Sequence, residues 1–281
     1  MKTCMDNDKI QKMKSNIGGI SALPTIPSNL KRISMMLEKP RLTLDDLARF
    51  ISSDPVLTTK VLKMVNSASY GFPGRISSVS HAIMLLGLNA IRGLLLGVSV
   101  FDLMQKNMYG LWDHSCACAV ASRCIAQKKK LKEPEEVSTC ALLHDIGKVI
   151  IMLQYPDEYE QALRSSQEKK ITIYEAEKLF LAASHAEVGC WLAQKYQFPA
   201  NLIEVIGFHH RPQSARQAPM ETAIVHVADI FVRAMGVGFS GDNFVPKVQP
   251  AAWEMLSLSE QDIRDILMQV EDSASLSGED D

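Results

Sequence analysis

Residues 141–148 read Ala-Leu-Leu-His-Asp-Ile-Gly-Lys, an apolar helical run interrupted by two adjacent metal-competent side chains, His144 and Asp145. An imidazole beside a carboxylate, in surroundings that would otherwise be core, must be solvated, mutually hydrogen-bonded or bound to a cation, because an unpaired buried charge is costly. A divalent ion satisfies both groups at once. Nitrogen and oxygen donors of this kind suit iron or manganese, with zinc as a further candidate, better than calcium or magnesium. The missing thiolate argues against a purely structural zinc site. The pair acquires meaning only if the fold brings other ligands to it.

Bulk properties narrow the setting. A chain of 281 residues, 47% hydrophobic and 22% charged, has the make-up of an ordinary globular protein and can bury a sizeable core. A formal charge of −2 exerts no general pull on nucleic acid or anionic membrane, so neither is expected as a partner. The start, Met1-Lys2-Thr3-Cys4, is too polar for a secretory signal. The longest apolar candidate, residues 93–104, is short and broken by Gly97 and Asp102, so a cytoplasmic protein is expected. The six cysteines contain no C-x-x-C pair. Cys116, Cys118, Cys124 and Cys140 fall in small-residue helical runs and read as packing thiols in a reducing compartment.

Residues 1–19 lack sustained periodicity and read as a flexible tail ending at Gly18-Gly19. From Leu23 to Gly110 apolar residues recur at helical spacing, with no convincing alternation of period two. Ser28, Thr43 and Asp54 stand where N-caps belong, and Asp45-Asp46 complement a helix dipole. His81, at a helix start, reads as structural.

Gly110 marks a change of chemistry, because six of the seven histidines lie beyond it. A helix over residues 111–130 carries His114 and ends in Lys128-Lys129-Lys130, which read as a C-terminal cap. Pro134 opens the helix expected to carry His144-Asp145, and a short return path can bring His114 toward His144. Glu175 and Glu177 read as solvated charges on the helix spanning residues 171–181. Ser184-His185-Ala186-Glu187 matches a capping box, which puts His185 at a rigid, half-exposed first helical position. His209 and His210 close another helix about 100° apart, so one faces an ion while the other lines the cleft. Asp229 interrupts the apolar helix over residues 221–235, with His226 one turn before it and Arg233 one turn after. The acidic end, residues 271–281, reads as disordered.

In this order, His114, His144-Asp145, His185, His209-His210 and Asp229 resemble the ligand series of the HD superfamily of metal-dependent phosphohydrolases, which includes the HD-GYP phosphodiesterases. Leu23-Pro24-Thr25-Ile26-Pro27, Asp54-Pro55-Val56-Leu57, Val65-Asn66-Ser67-Ala68 and Ile76-Ser77-Ser78-Val79-Ser80-His81-Ala82-Ile83-Met84-Leu85-Leu86-Gly87 look like the HDOD module, the HD-related output domain of bacterial signalling. The likeness covers about residues 20–238.

This resemblance implies an all-α multi-helix bundle: an additional helical half at residues 20–110, an HD-like metal-site half at 111–238 and an extension at 239–281. It further implies a regulatory role exercised through signalling proteins or a small nucleotide-like ligand. One or two divalent ions are expected, with His114, His144, Asp145, His185, His209, His210 and Asp229 as ligand candidates. The alternative is a metal-dependent phosphohydrolase acting on a nucleotide or other phosphoester. There Asp145 would bridge two ions, His114, His144 and Asp229 would hold one, His185 and His209 the other, and Lys148 would neutralise phosphate charge. His209-His210-Arg211-Pro212 does not continue into the glycine-tyrosine-proline segment of HD-GYP enzymes, which argues against cyclic di-GMP cleavage.

Overall fold

Asp54 and Thr43 begin their helices as their chemistry requires: the Asp54 carboxylate accepts from the Leu57 amide at 3.1 Å, and Thr43 forms a reciprocal box with Asp46. Residues 2–18, 28–39 and 41–277 are described by a computed structural model. The Leu23-Pro24-Thr25-Ile26-Pro27 motif, the end of the proposed tail at Gly19 and the last four positions of the acidic end, residues 278–281, lie outside the described residues. Among those that are described there is no strand.

The helices are α1 (Lys2–Gly18), α2 (Ser28–Leu37), α3 (Leu44–Ser52), α4 (Pro55–Val65), α5 (Val79–Asn107), α6 (Leu111–Lys128), α7 (Pro134–Leu143) and α8 (Ile146–Gln154). They continue with α9 (Pro156–Lys169), α10 (Ile173–Phe180), α11 (His185–Lys195), α12 (Ala200–Phe208), α13 (Pro219–Met235), α14 (Pro250–Leu256) and α15 (Glu260–Ser277). One apolar cluster runs from Met13 to Val270, so the two halves expected from the sequence share a core. Helix α7 lies between them, packing on α5 from the first half and on α6, α12 and α13 from the second.

Helix α5 is interrupted at Gly87, whose φ of 74° and ψ of 176° no helical residue adopts. Residues 79–106 are nonetheless long and apolar enough to cross a membrane by length and composition, a longer stretch than residues 93–104. The most apolar window of that helix is 72% buried within the protein, against α2, α3, α4, α7 and α8.

Both chain ends correct the sequence reading. Residues 2–18 form a helix rather than a frayed tail: Met13 and Ile17, one turn apart, are buried, and the Asn16 amide donates to the Tyr155 hydroxyl at 2.9 Å. Helix α15 likewise continues to Ser277, into the stretch expected to be disordered, with Ile266 and Val270 fully buried. Lys128 pairs with Asp262 at 3.0 Å and Asp265 at 2.7 Å, so it ties α6 to α15 as well as ending a helix.

A single close approach sets the angle of the site. Helix α8 crosses α11 at Gly147, where an added Cβ would stand 1.9 Å from the His185 carbonyl oxygen and 2.8 Å from the Gly189 nitrogen. Backbone cannot yield as a side chain can. Gly147→Ala is therefore expected to cost about 3 kcal/mol, the upper end for overpacking, and to displace His185. Urea unfolding of the variant beside the wild type measures it; an unchanged midpoint would show that the helices can separate freely.

Candidate metal centre

The His144-Asp145 pair sits between helices, not within one as the sequence predicted. Helix α7 stops at Leu143, His144 keeps helical angles, and Asp145, with φ −98° and ψ 8°, forms the N-terminal boundary of α8. The break turns the carboxylate inward, away from the axis of either helix.

Five places in the fold deliver donors to this point. Helix α6 brings His114, the α7–α8 junction brings His144 and Asp145, α11 brings His185 at its first residue, the end of α12 brings His209 and His210, and α13 brings Asp229. All except His210 are buried; His210 is half-buried. His185 is fully enclosed, which corrects the half-exposed position expected for it. Its helix start is nevertheless held as predicted: the Ser184 amide and hydroxyl donate to the Glu187 carboxylate at 2.9 and 2.8 Å.

Asp145 faces two groups of ligands with its two oxygens. Oδ2 stands 3.4 Å from His144 Nε2 and 3.9 Å from His114 Nε2; Oδ1 stands 3.2 Å from His185 Nε2 and 3.8 Å from His209 Nε2. Asp229 Oδ1 closes the first group, 3.2 Å from His114 Nε2. His210 joins the second, its Nε2 2.9 Å from that of His185. The seven candidates fall into two adjoining sets: His114, His144 and Asp229, and Asp145, His185, His209 and His210.

The remaining ring nitrogens fix the tautomers. His144 Nδ1 lies 2.6 Å from the Ala141 carbonyl and His209 Nδ1 2.8 Å from the Ile206 carbonyl. A carbonyl only accepts, so each Nδ1 carries the proton and each Nε2 turns a lone pair toward the aspartates. His185 Nδ1 donates to Glu177 at 2.7 Å in the same way, and Glu177 also accepts from the His185 amide at 2.9 Å. Partners of this kind, bonded to the ring nitrogen that faces away from the aspartates, orient histidine ligands for a metal.

The centre fits a cation. His144 Nε2, Asp145 Oδ1, His209 Nε2 and Asp229 Oδ1 are buried and make no directed hydrogen bond, four unsatisfied polar atoms gathered at one place. Lone pairs opposed to carboxylate oxygens across 3.4 and 3.8 Å repel unless positive charge lies between them. Ligands at about 2.1 Å around a tetrahedral ion stand about 3.4 Å apart, which matches these gaps.

Electrostatics favour the ligating forms of both aspartates, His209 and His210, and the protonated form of His144. Burial works against ionised Asp145, but His144 and Lys148 outweigh it and hold the carboxyl well below its usual range. Asp229 behaves likewise, burial being overcome by the His114 ring beside it and by Arg233. Burial, with His144 and His185 nearby, pushes His209 well below the ordinary imidazole range; burial, with His209 and His185, does the same to His210. Burial pushes His144 down, yet Asp145 raises it overall.

Several residues differ in role from their sequence reading. Lys148 is buried, its ammonium donating to Asp145 Oδ2 at 2.5 Å and to the Ser240 carbonyl at 2.7 Å, so it balances the central carboxylate instead of facing a cleft. Arg233 pairs with Asp242 and donates to the Phe244 carbonyl at 2.6 Å. His226 is no ligand: its Nδ1 donates to the His209 carbonyl at 2.7 Å and its Nε2 accepts from the Gln249 amide at 3.0 Å, which fixes the end of α12 against α13.

Three neighbours were missed. Glu177, read as solvated, is fully buried beneath His185. Its spacing of eight residues from His185 offered no local cue. Tyr174 packs against His210 with ring centroids 4.3 Å apart and planes tilted by 34°, and Lys178 lies 3.6 Å over the Tyr174 ring. Cys118, read as a packing thiol, stands with His114, His144 and Asp229, its Sγ 3.5 Å from His114 Nε2. The i, i+4 spacing of His114 and Cys118 was the available signal. Burial, reinforced by Asp229 and Asp145, pushes this thiol well above its ordinary value.

Similarity to known proteins bears on the family and the fold. The family model described as the HDOD domain matches residues 23–212. A protein of Treponema pallidum (strain Nichols), uncharacterised, is 28% identical over 221 residues, covering 76% of this chain and 43% of the relative; the chain thus spans less than half of that relative's length. The crystal structure of an HDOD domain protein of unknown function from Geobacter sulfurreducens is 27% identical, with a TM-score of 0.66 over 94% of this chain and 95% of that one. A protein from Shewanella amazonensis SB2B, for which a phosphohydrolase role has been suggested, shares the fold at 21% identity, with a TM-score of 0.59 over 90% and 96% of the two chains.

Glu177→Gln keeps the size of the partner beneath His185 and removes its charge. A loss of about 10-fold or more in metal affinity is expected, since outer-shell partners typically carry 10–100-fold. Competition titration against a chromophoric chelator reads it; unchanged affinity would mean that His185 does not ligate.

Proposed function

This chain belongs to the HDOD family, and from that premise we propose that it is a regulatory module of bacterial signalling whose histidine–aspartate centre holds one or two divalent ions. It acts by binding a signalling protein or a small nucleotide-like ligand in the cytoplasm, not by turnover. The observation that carries this reading is the enclosure of most of the centre: His114, His144, Asp145, His185, His209 and Asp229 are each at most 2% exposed, and of the seven candidates only His210 is half-buried. Structural metal sites are closed by protein ligands, whereas catalytic ones keep a position open to substrate.

His114, His144 and Asp229 would hold an ion on the Oδ2 side of Asp145, and His185, His209 and His210 one on the Oδ1 side. Iron or manganese suits the nitrogen and oxygen donors, with zinc also compatible. Such an ion joins α6, the α7–α8 junction, α11, α12 and α13, and so fixes helices that are far apart in sequence.

A second reading, metal-dependent hydrolysis of a phosphoester, is favoured by the complete donor set and by the two-sided placement of Asp145. Bound divalent metal supplies a polarised phosphoryl oxygen and an acidified water. Lys148 would then hold Asp145 ionised, and Glu177 would keep the His185 proton on Nδ1.

Elemental analysis of protein purified without chelator, paired with assays on generic phosphodiester and nucleotide substrates, separates the readings. We expect near-stoichiometric metal in the wild type, its loss in Asp145→Asn, a lowered melting temperature after chelation and no turnover. Metal-dependent turnover abolished in Asp145→Asn would replace the regulatory reading with the hydrolytic one. A metal-free wild type that stays metal-free on reloading would exclude both.

A further inference from the structure

We propose that Cys118 is a fourth protein ligand in the His114 half of the centre, making that half a thiolate-containing site closed by protein alone. The inference rests on the metal-binding reading above and adds to it a residue outside the histidine–aspartate series.

Cys118 follows His114 by four residues on α6, so the two side chains project from one face of the helix. Its Sγ is 3.5 Å from His114 Nε2 and 4.0 Å from Nδ1. One atom each from His114, Cys118, His144 and Asp229 lies within 4.8 Å of all the others, and all four residues are buried. Cysteine alone would be unremarkable here, because buried thiols are common packing groups. Two independent features point to a ligand: His144 Nε2 and Asp229 Oδ1 are fully buried, lack hydrogen bonds and belong to the same set. Four donors of the types N, N, O and S form the kind of set that tetrahedral zinc takes.

On coordination the Cys118 S–H bond breaks, its proton passes to solvent and one metal–sulfur bond forms. The two halves of the centre then differ in kind. The His114 half offers a soft donor and favours zinc, cobalt or iron over manganese, whereas the Asp145, His185, His209 and His210 half offers nitrogen and oxygen only. With four protein ligands the first ion has no vacant tetrahedral position. Any exchangeable position belongs to the second half, which includes the half-buried His210.

Cobalt(II) loading of the full chain tests this without recourse to activity. The wild type and Cys116→Ser should show visible d–d bands together with a near-ultraviolet thiolate-to-cobalt band. Cys118→Ser should lose the thiolate band, keep d–d absorption from the second half and bind the first ion at least tenfold more weakly. X-ray absorption on zinc-loaded wild type should find a sulfur scatterer at about 2.3 Å, a measurement that stands even if Cys118→Ser does not fold. Cobalt uptake without any sulfur signal in the wild type, or a thiolate band that survives in Cys118→Ser, would overturn the assignment while leaving the metal centre in place. A wild type that takes up no cobalt would overturn the metal-binding reading itself.

Discussion

A carboxylate held in a dry core needs positive charge or donors on every side, and the structure around Asp145 is the consequence of meeting that need. One oxygen receives Lys148; both oxygens face imidazole nitrogens arriving from other helices. Removing an ionised group from water costs several kcal/mol even after relaxation, so the centre is stable only if its compensating groups are placed accurately. Accuracy comes from backbone and one buried side chain: carbonyls of Ala141 and Ile206 fix two rings, the Glu177 carboxylate fixes a third, and Gly147 lets the α8 and α11 backbones touch.

These supports also explain why the helices break where they do. His144 and His209 both follow the last residue of a helix and bond the carbonyl three residues back, a geometry available where the next turn does not continue. Each ring is thereby oriented by a carbonyl in the last turn of its helix. Helix termination and ligand orientation are one event.

The helical class, the N-caps at Thr43 and Asp54 and the convergence of the histidines with Asp145 and Asp229 were legible in the sequence, because each depends on local spacing or on a residue type with few bland uses. Glu177 was not, since a glutamate on an amphipathic helix is by default solvated, and its burial depends on where α11 packs. Cys118 was hidden by its own chemistry: a small thiol in a run of alanines satisfies the apolar pattern equally well as core or as ligand. Helix α1 was hidden by sparseness, because two buried residues, Met13 and Ile17, set too weak a period to read. Lys148 illustrates a different limit, since its pairing with the Ser240 carbonyl spans 92 residues.

The two halves of the chain are joined at the same place that holds the centre. Helix α7 ends in His144, and along its length Thr139 meets the Tyr70 hydroxyl at 3.1 Å, Ser138 donates to the Ser69 carbonyl at 2.6 Å, and Glu136 accepts from Asn89 at 3.0 Å. These partners all belong to the first half. An ion that sets the position of His144 therefore sets the end of a helix through which the first half is hydrogen-bonded to the second. A regulator needs a site whose occupancy changes the energy of a packed element. Under the proposed regulatory reading that element is α7, and the half of the centre that includes the half-buried His210 lies beside Tyr174.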